Sequence, residues 1–403
     1  MEEEIKPVIK PITRNVVVMG FVSLFNDISS EMIYPIVPIF LKSVLGAPAT
    51  VIGLIEGIAE STASIMKIFS GWFSDKIQKR KIFVTIGYSL SGISKVLIGL
   101  ANTWPFVLFA RFIDRFGKGT RTAARDSLIL ESVAPEHRGK AFGFHRSMDG
   151  LGAVFGPLLA LWLIVIFKDN YRSIFFWAAV PSLIGVLLLI AFVKEKKKTE
   201  VLGETKPIFK FKWSELDGTF KFFVFINIIF AIGNSSDAFL ILRAQSLGLG
   251  VTLTVASYVL YNLTRSATSY PAGIISDKIG PRKILFVGFA LFAIVYFLFG
   301  FISNSLWVWF LFPLYGVYMG LTDGISKAYI AQTLSSPEKS GTAYGIYYAA
   351  IGICALSASL IAGFLWKYVS VSAPFYFGAV MAALAAILFI VFSKTVPKIS
   401  QVN

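Results

Sequence analysis

Two pairs of acidic residues stand four positions apart inside long apolar runs, Asp27 with Glu31 and Glu56 with Glu60. In a helix this spacing places both side chains of a pair on one face. Two like charges that close in an apolar medium cannot comfortably both ionise, so one carboxyl of a pair is expected to hold a proton. A carboxyl that takes up and releases protons inside a membrane could couple proton movement to transport.

Counting along the apolar runs at about 1.5 Å per helical residue gives the depth of each ionisable side chain. Those near the middle of their runs are Asp27, Glu31, Glu60, Asp114, Arg115 and Asp149. Each costs at least ~2.5–3.5 kcal/mol to insert, so these side chains are expected to avoid lipid. We interpret Asp27, Glu31, Glu60, Asp149 and Arg115 as members of a proton-coupling cluster, with Asp27 as the first candidate carrier. The alternative is a buried ion-pair network that only holds helices together.

One of the two histidines, His145, stands four residues before Asp149 and could relay protons to it. A packed, neutral histidine is the equal alternative. With two histidines and one cysteine, the chain has too few ligands for most zinc chemistry. It also lacks a Walker loop and an H-E-x-x-H motif. We therefore expect no metal, no cofactor and no enzymatic activity.

The second half of the chain is poorer in mid-run charges and richer in tyrosine, with three tyrosines before residue 203 and twelve after it. Tyrosines away from helix ends do not belong to an interfacial belt. They could line an amphipathic substrate site, or they could simply pack helices together. The candidate substrate-binding residues are Asn227, Asn234, Tyr258, Tyr261, Arg265, Tyr315 and Tyr318.

Composition identifies an integral membrane protein, because 56% of the 403 residues are apolar, 15% are charged and the mean hydropathy is +0.71. The net charge of +15 does not indicate nucleic-acid binding, since the basic residues cluster in short connections between apolar runs. The twelve runs cover roughly 15–42, 50–73, 82–102, 104–128, 140–167, 172–193, 219–241, 252–275, 283–302, 305–331, 341–366 and 373–393. The first is expected to be a retained helix and not a cleaved signal.

A charged segment that opens with KEKKKTE divides these runs into six and six. The predicted organisation is an N-terminal six-helix bundle (1–193), a linker (194–217) and a C-terminal six-helix bundle (218–403). Lysine and arginine concentrate in alternate connections, so the linker and both termini are expected in the cytoplasm.

An internal repeat supports the halving. The segment GWFSDKIQKRKI, from Gly71, aligns without gaps to GIISDKIGPRKI, from Gly273, with eight of twelve positions identical and an offset of 202 residues. The doubled loop resembles the signature loop of the major facilitator superfamily. That resemblance implies gating roles for Gly71, Asp75, Lys76 and Arg80, and for Gly273, Asp277, Lys278 and Arg282.

The resemblance covers essentially the whole chain and implies an all-α fold of twelve transmembrane helices in two pseudo-symmetric bundles. In a second family motif, either Arg111 or Arg115 could fill the arginine position, and Arg115 is favoured. The segment GAVFGP, from Gly152 to Pro157, is similar to a helix-5 motif of family antiporters and favours export, although a plain packing face is the alternative.

The function expected from residues and resemblance together is proton-coupled transport of a small organic or amphipathic solute, by antiport. An uptake symporter or a lysophospholipid or anion transporter is the alternative. The expected form is a monomer in the plasma membrane of a prokaryotic cell.

Overall fold

The computed structural model describes residues 12–77, 79–134, 137–168, 170–195, 216–333 and 340–395. No strand occurs in these ranges, and a short 3-10 turn (Ser305–Trp307) precedes α12. The α-helices are α1 (Arg14–Ile33), α2 (Ile36–Ser43), α3 (Ala49–Ile77), α4 (Arg80–Leu100), α5 (Trp104–Glu131), α6 (Arg138–Phe167), α7 (Tyr171–Phe192), α8 (Gly218–Gly233), α9 (Ala238–Ser246), α10 (Val251–Ile279), α11 (Pro281–Phe301), α12 (Val308–Gln332), α13 (Ser340–Tyr368) and α14 (Ala373–Thr395).

Within the described ranges these helices account for the twelve predicted spans, because α1 continues into α2 and α8 into α9. Ten spans are long and apolar enough to cross a membrane by composition alone. The two that fall short are α5 and α10, which carry many charged and hydroxyl side chains. Polar residues at that depth belong inside a bundle, so the prediction of an all-α, twelve-span membrane fold is confirmed.

Two spans are broken at equivalent positions. Pro35 ends α1 because its ring clashes with the carbonyl four residues earlier and it has no N–H to donate. The α8–α9 break falls at Asn234–Asp237, where the Ser236 hydroxyl accepts from the Ala238 N–H at 3.3 Å and so competes with helical hydrogen bonding. The repeat offset relates the breaks, since 34 + 202 = 236 and 35 + 202 = 237.

The exposed helix faces are apolar, as expected for a surface that faces lipid. On α7 the side chains of Trp177, Leu183 and Leu187 are 52–58% exposed, whereas Ser182 and Gly185 of the same helix are buried. This arrangement is the reverse of that in a soluble helix, where the polar face is the exposed one. The protein is therefore a multi-pass membrane protein.

Close contacts divide the chain into two units. The first comprises residues 1–34 and 66–200, and the second 35–65 and 201–403. In the first unit, α1 packs on α6 and α7, and α4 packs on α5 and α7. An apolar core that includes Val16, Tyr88 and Leu128 supports one end of this unit.

In the second unit, α10 packs on α12, α11 on α14, and α8 on α13 and α14. The first half of α3 joins this unit by packing on α13 through small residues. A Cβ on Gly53 would collide with the Ser359 carbonyl, and the Ser61 hydroxyl donates to the Gly352 carbonyl at 2.5 Å. The division at 193 and 218 follows the sequence repeat and stays a prediction, and linker residues 196–215 lie outside the described ranges.

Arg243 of α9 stabilises the end of α11. Its guanidinium is buried and donates to the carbonyls of Phe299 at 2.9 Å and Ile302 at 2.8 Å. These carbonyls lie at or beyond the last turn of α11, where a helix has no internal donors left.

The Arg243→Ala variant is expected to lower the free energy of unfolding by about 1–3 kcal/mol, because buried carbonyls would lose their donors. Thermal unfolding of the purified protein in detergent measures the effect. Lys367→Ala, which removes an exposed charge of α13, is the matched control and should leave the melting temperature unchanged. Equal melting temperatures for the two variants would contradict the capping role.

Candidate functional site

The two acids of α1 lie directly over two glycines of α6. A Cβ on Gly152 would approach the Asp27 Cβ to 2.7 Å, and a Cβ on Gly156 would approach the Glu31 Cβ to 2.8 Å. Acids and glycines are both spaced by four residues, so the two helices meet with matched periodicity. Only glycine at these positions lets α1 come this close to α6. The GAVFGP segment therefore positions the acid pair.

A hydrogen-bonded group forms around Asp149 on the same α6 helix. The Ser23 hydroxyl donates to Asp149 Oδ1 at 2.5 Å, and His145 Nδ1 lies 3.5 Å from Asp149 Oδ2. The charges of Asp149 and Glu31 both act on Asp27. Asp27, Asp149 and His145 thus belong to one electrostatically linked group of titratable side chains inside the first unit.

A second buried group is centred on Asp114 of α5. Its carboxylate accepts a hydrogen bond from the Ser91 hydroxyl at 2.5 Å and lies 3.5 Å from Lys95 Nζ. Arg111 and Arg115 approach the other carboxylate oxygen to 3.6 and 3.8 Å. All four charged side chains are at most 7% exposed. One carboxylate therefore faces three cations in a medium where charge is poorly screened.

The predicted coupling residues fall into separate places. Asp27, Glu31, His145, Asp149 and Arg115 all lie in the first unit, with Arg115 held at Asp114. Glu60 lies in the half of α3 that packs with the second unit, where its charge acts on Asp237.

Arg111 and Arg115, which could each fill the arginine position of the second family motif, share one buried face of α5. The guanidinium carbons of Arg111 and Arg115 each lie 6.0 Å from the centre of the Tyr34 ring. The two residues stand one helical turn apart, so they meet the same neighbours.

In the second unit, most of the predicted substrate residues converge on one carboxylate, that of Asp237. The Tyr315 hydroxyl donates to Asp237 Oδ1 at 2.7 Å, and the Tyr261 hydroxyl donates to Oδ2 at 3.3 Å. The Tyr258 ring lies 5.2 Å from that of Tyr261, and the Tyr318 ring 5.3 Å from that of Tyr315. Close approach of α10 to α12, where Gly316 packs on the Tyr261 carbonyl, brings these rings together.

Asn234, Asn227 and Arg265 take three different positions around this aromatic group. The Asn234 amide donates to the Tyr318 hydroxyl at 3.5 Å and so belongs to the group. Asn227 instead accepts from the Tyr347 hydroxyl at 3.4 Å. Arg265 donates to Asp323 of α12 at 2.8 Å, and both side chains are about one-third exposed.

The repeated loops differ between the two halves. Arg80 forms a 2.9 Å ion pair with Glu131 at the end of α5. The position equivalent to Glu131 in the second half is Thr333, since 131 + 202 = 333, so the acid is missing for Arg282. Among the described residues, Nε and Nη2 of Arg282 have no hydrogen-bond partner.

The other gating candidates are exposed or lie outside the described side chains. Asp277 and Lys278 are exposed at the end of α10. No described atom lies within 4 Å of a Cβ placed on Gly273. Its neighbours Ile274 and Ile275 are exposed. The structure does not describe the surroundings of Gly71 or the side chains of Asp75 and Lys76.

Sequence reasoning assigned no functional role to Asp237, which the structure puts at the centre of the aromatic group. The available signal was the run Asn234–Asp237, four polar residues inside an apolar span. Such a run predicts a broken helix, and broken helices are where membrane transporters build binding sites.

Twelve helical spans, an internal repeat, broken helices and buried charges together are typical of a membrane transporter. The sequence model of the Major Facilitator Superfamily matches residues 19–261 and 222–403. The chain belongs to this family of membrane transporters, which are not enzymes.

Relatives and solved structures agree with this assignment. The uncharacterized MFS-type transporter MJ1317 of Methanocaldococcus jannaschii is 39% identical over 387 residues, which cover 94% of this chain and 95% of the relative. The quinolone resistance protein NorA of Staphylococcus aureus is 26% identical over 187 residues, 45% of this chain and 47% of NorA. A POT family transporter solved in complex with a thioalcohol-conjugated peptide has the same fold, with a TM-score of 0.78, 13% identity and coverage of 98% and 100%.

Proposed function

We propose that this protein is a proton-coupled secondary transporter that exports an organic or amphipathic solute in exchange for protons. The observation that carries the proposal is the titratable group of the first unit, in which Asp27, Glu31, Asp149 and His145 lie together inside a membrane-spanning bundle. Ionisable groups at that depth cost several kcal/mol to insert, so their presence there favours a functional role.

Export is supported by two further observations. The GAVFGP segment holds α1 and α6 together at the acid pair, so a motif that is similar to one of antiporters lies at the proposed coupling site. The similarity to NorA, whose name describes quinolone resistance, covers about half of this chain and is compatible with removal of organic solutes.

Gradient-driven transport in proteoliposomes tests the coupling role of Asp27. A panel of labelled organic solutes first identifies one that moves with an imposed pH gradient. The Asp27→Asn variant should then lose at least about tenfold of the gradient-driven rate, because the amide cannot carry a proton. Exchange of labelled for unlabelled solute without a gradient should persist, since it requires binding and movement but no net proton transfer.

The control for this experiment is Asp217→Asn, the same chemical change at the residue that precedes α8. It should transport at the wild-type rate. If Asp27→Asn and the double variant Asp27→Asn with Glu31→Gln both keep the wild-type gradient-driven rate, the coupling role is wrong.

An uptake symporter or an anion transporter, lysophospholipids included, is the second candidate. Its supporting observation is the surplus of cations around Asp114, where Lys95, Arg111 and Arg115 lie within 3.8 Å of one carboxylate. Counterflow distinguishes the candidates. Accumulation of a labelled anionic solute in proteoliposomes that are preloaded with the unlabelled solute would favour the second candidate.

The proposed location is the plasma membrane of a prokaryotic cell, with both termini in the cytoplasm and the protein acting as a monomer. The alternation of connections rich in lysine and arginine with connections poor in them supports this orientation. Reporter fusions at residue 403 test it, since a reporter active only outside the cytoplasm should stay inactive there.

A further inference from the structure

The break between α8 and α9 exposes a carboxylate to a wall of aromatic rings. Asp237 is half-buried, whereas the rings of Tyr258, Tyr261, Tyr315 and Tyr318 are at most 3% exposed. The Asp237 residue is thus partly accessible, while the rings that surround it are fixed by packing. Two of these rings also donate hydroxyl hydrogen bonds to the carboxylate and so fix its orientation.

We propose that Asp237 and the surrounding tyrosine rings bind the positively charged end of an organic solute. This inference rests on the proposed transport function and names its substrate class. A carboxylate supplies the countercharge, and aromatic faces attract cations when the charge lies within about 6 Å of a ring centre. Tyrosine-lined sites of this kind suit bulky quaternary ammonium or phosphonium groups, which have no hydrogen to donate.

The charges of the described residues around Asp237 favour a cation. Glu60 and Arg265 both act on Asp237. The Arg265 guanidinium already donates to Asp323 at 2.8 Å, so its charge is shared with another carboxylate. The carboxylates therefore outnumber the base in this group, and an incoming cation would be attracted while an anion would be repelled.

A buried amide on the same face of α10 supports the presence of a ligand. Asn262 is 1% exposed, and neither its side-chain nitrogen nor its side-chain oxygen has a partner among the described residues. It follows Tyr261 and stands four residues after Tyr258, so helical geometry turns it to the same face as that ring. Buried amides normally have partners, and a polar group of the solute would supply one here.

Equilibrium binding of labelled tetraphenylphosphonium to the purified full-length protein in detergent tests the inference. Saturable binding is expected for the wild type. The Asp237→Asn variant should bind at least about tenfold more weakly, because the countercharge is removed while the shape is kept. Tetraphenylborate, an anion of the same shape, should not compete.

Variants of the tyrosines separate the ring from the hydroxyl. Tyr315→Phe keeps the ring and should change affinity by no more than about threefold, whereas Tyr315→Leu should weaken binding at least about fivefold. Both substitutions lose the hydroxyl donated to Asp237, so they serve as matched controls for each other. Asp217→Asn should bind as the wild type does, and size-exclusion chromatography establishes that each variant is folded.

The inference is overturned if the wild type does not bind tetraphenylphosphonium saturably, if tetraphenylborate competes equally, or if folded Asp237→Asn binds with wild-type affinity. Because no proton gradient is present, loss of proton coupling would leave this binding intact. Conversely, gradient-driven transport of a solute by a protein that binds no cation would retain the proposed function and reject only its substrate class.

Discussion

The Asp114→Asn variant is expected to lose about 3–5 kcal/mol of stability, the largest loss that we predict for a single side chain in this protein. The substitution keeps the shape and removes the negative charge that lies 3.5–3.8 Å from Lys95, Arg111 and Arg115. The repulsion among these three cations would then be less compensated, in a buried group with little water to screen it.

Thermal unfolding in detergent measures this loss, and the same helix supplies the control. Asp126 of α5 also pairs with an arginine, at 2.9 Å from Arg125, but its side chain is 41% exposed. Asp126→Asn should therefore cost only about 0–1 kcal/mol. Similar melting temperatures for the two variants would contradict the central role of Asp114.

A partial rescue gives an independent check of the charge argument. If the cost of Asp114→Asn comes from uncompensated cations, removing one of them by Lys95→Met should restore part of the lost stability. Additive destabilisation in the double variant would indicate a packing defect instead.

The Gly156→Leu variant is expected to reduce gradient-driven transport at least about tenfold, because a small displacement of coupling groups costs that much. A Cβ at this position would lie 2.7 Å from the Ile28 carbonyl oxygen and 2.8 Å from the Glu31 Cβ. Neither atom can rotate away, so α1 itself must move and carry both of its acids with it. Gly156→Ala should produce a smaller loss of the same kind.

Gly143→Leu on the same α6 helix is the matched control, since no described atom lies within 4 Å of a Cβ placed there. It should transport at close to the wild-type rate. Transport in proteoliposomes gives the rates, and thermal unfolding shows whether Gly156→Leu is still folded. Wild-type transport by folded Gly156→Leu would mean that close packing of α1 against α6 is not needed for coupling.

Sequence reasoning predicted the helices well because apolar runs of membrane length leave few alternatives. Every predicted span has a helix within a few residues of its bounds. The break after α1 follows from Pro35, whose effect on a helix is local. The break before α9 depends on how Asn234–Asp237 form hydrogen bonds, which hydropathy does not report.

The candidate site was less predictable because it depends on which helices meet. The spacing of Asp27 and Glu31 gives their shared face, but not the glycines of α6 that lie beneath them. Depth counting put Glu60 level with Asp27, although Glu60 packs with the second unit. Depth gives the position of a side chain along the membrane normal only. Its neighbours also depend on its position within the plane of the membrane.

Contacts in the second unit also required the fold. In a continuous helix over the apolar run 219–241, Asp237 would lie near the outer end and away from the middle of the membrane. Because the helix is interrupted just before it, the carboxylate turns instead towards the hydroxyls of Tyr261 and Tyr315. The excess of tyrosine in the second half was visible in the sequence. That Asp237 accepts hydrogen bonds from two of these tyrosines was visible only in the structure.

The equivalent register of the two helix breaks separates the place of an interruption from the residues that produce it. The residues that interrupt the helices are unrelated, Tyr34–Pro35 in one half and Ser236–Asp237 in the other. The two halves therefore have the position of the break in common and not its chemistry. One half is interrupted by a rigid ring and the other by polar side chains, so only the second half carries a carboxylate at that point.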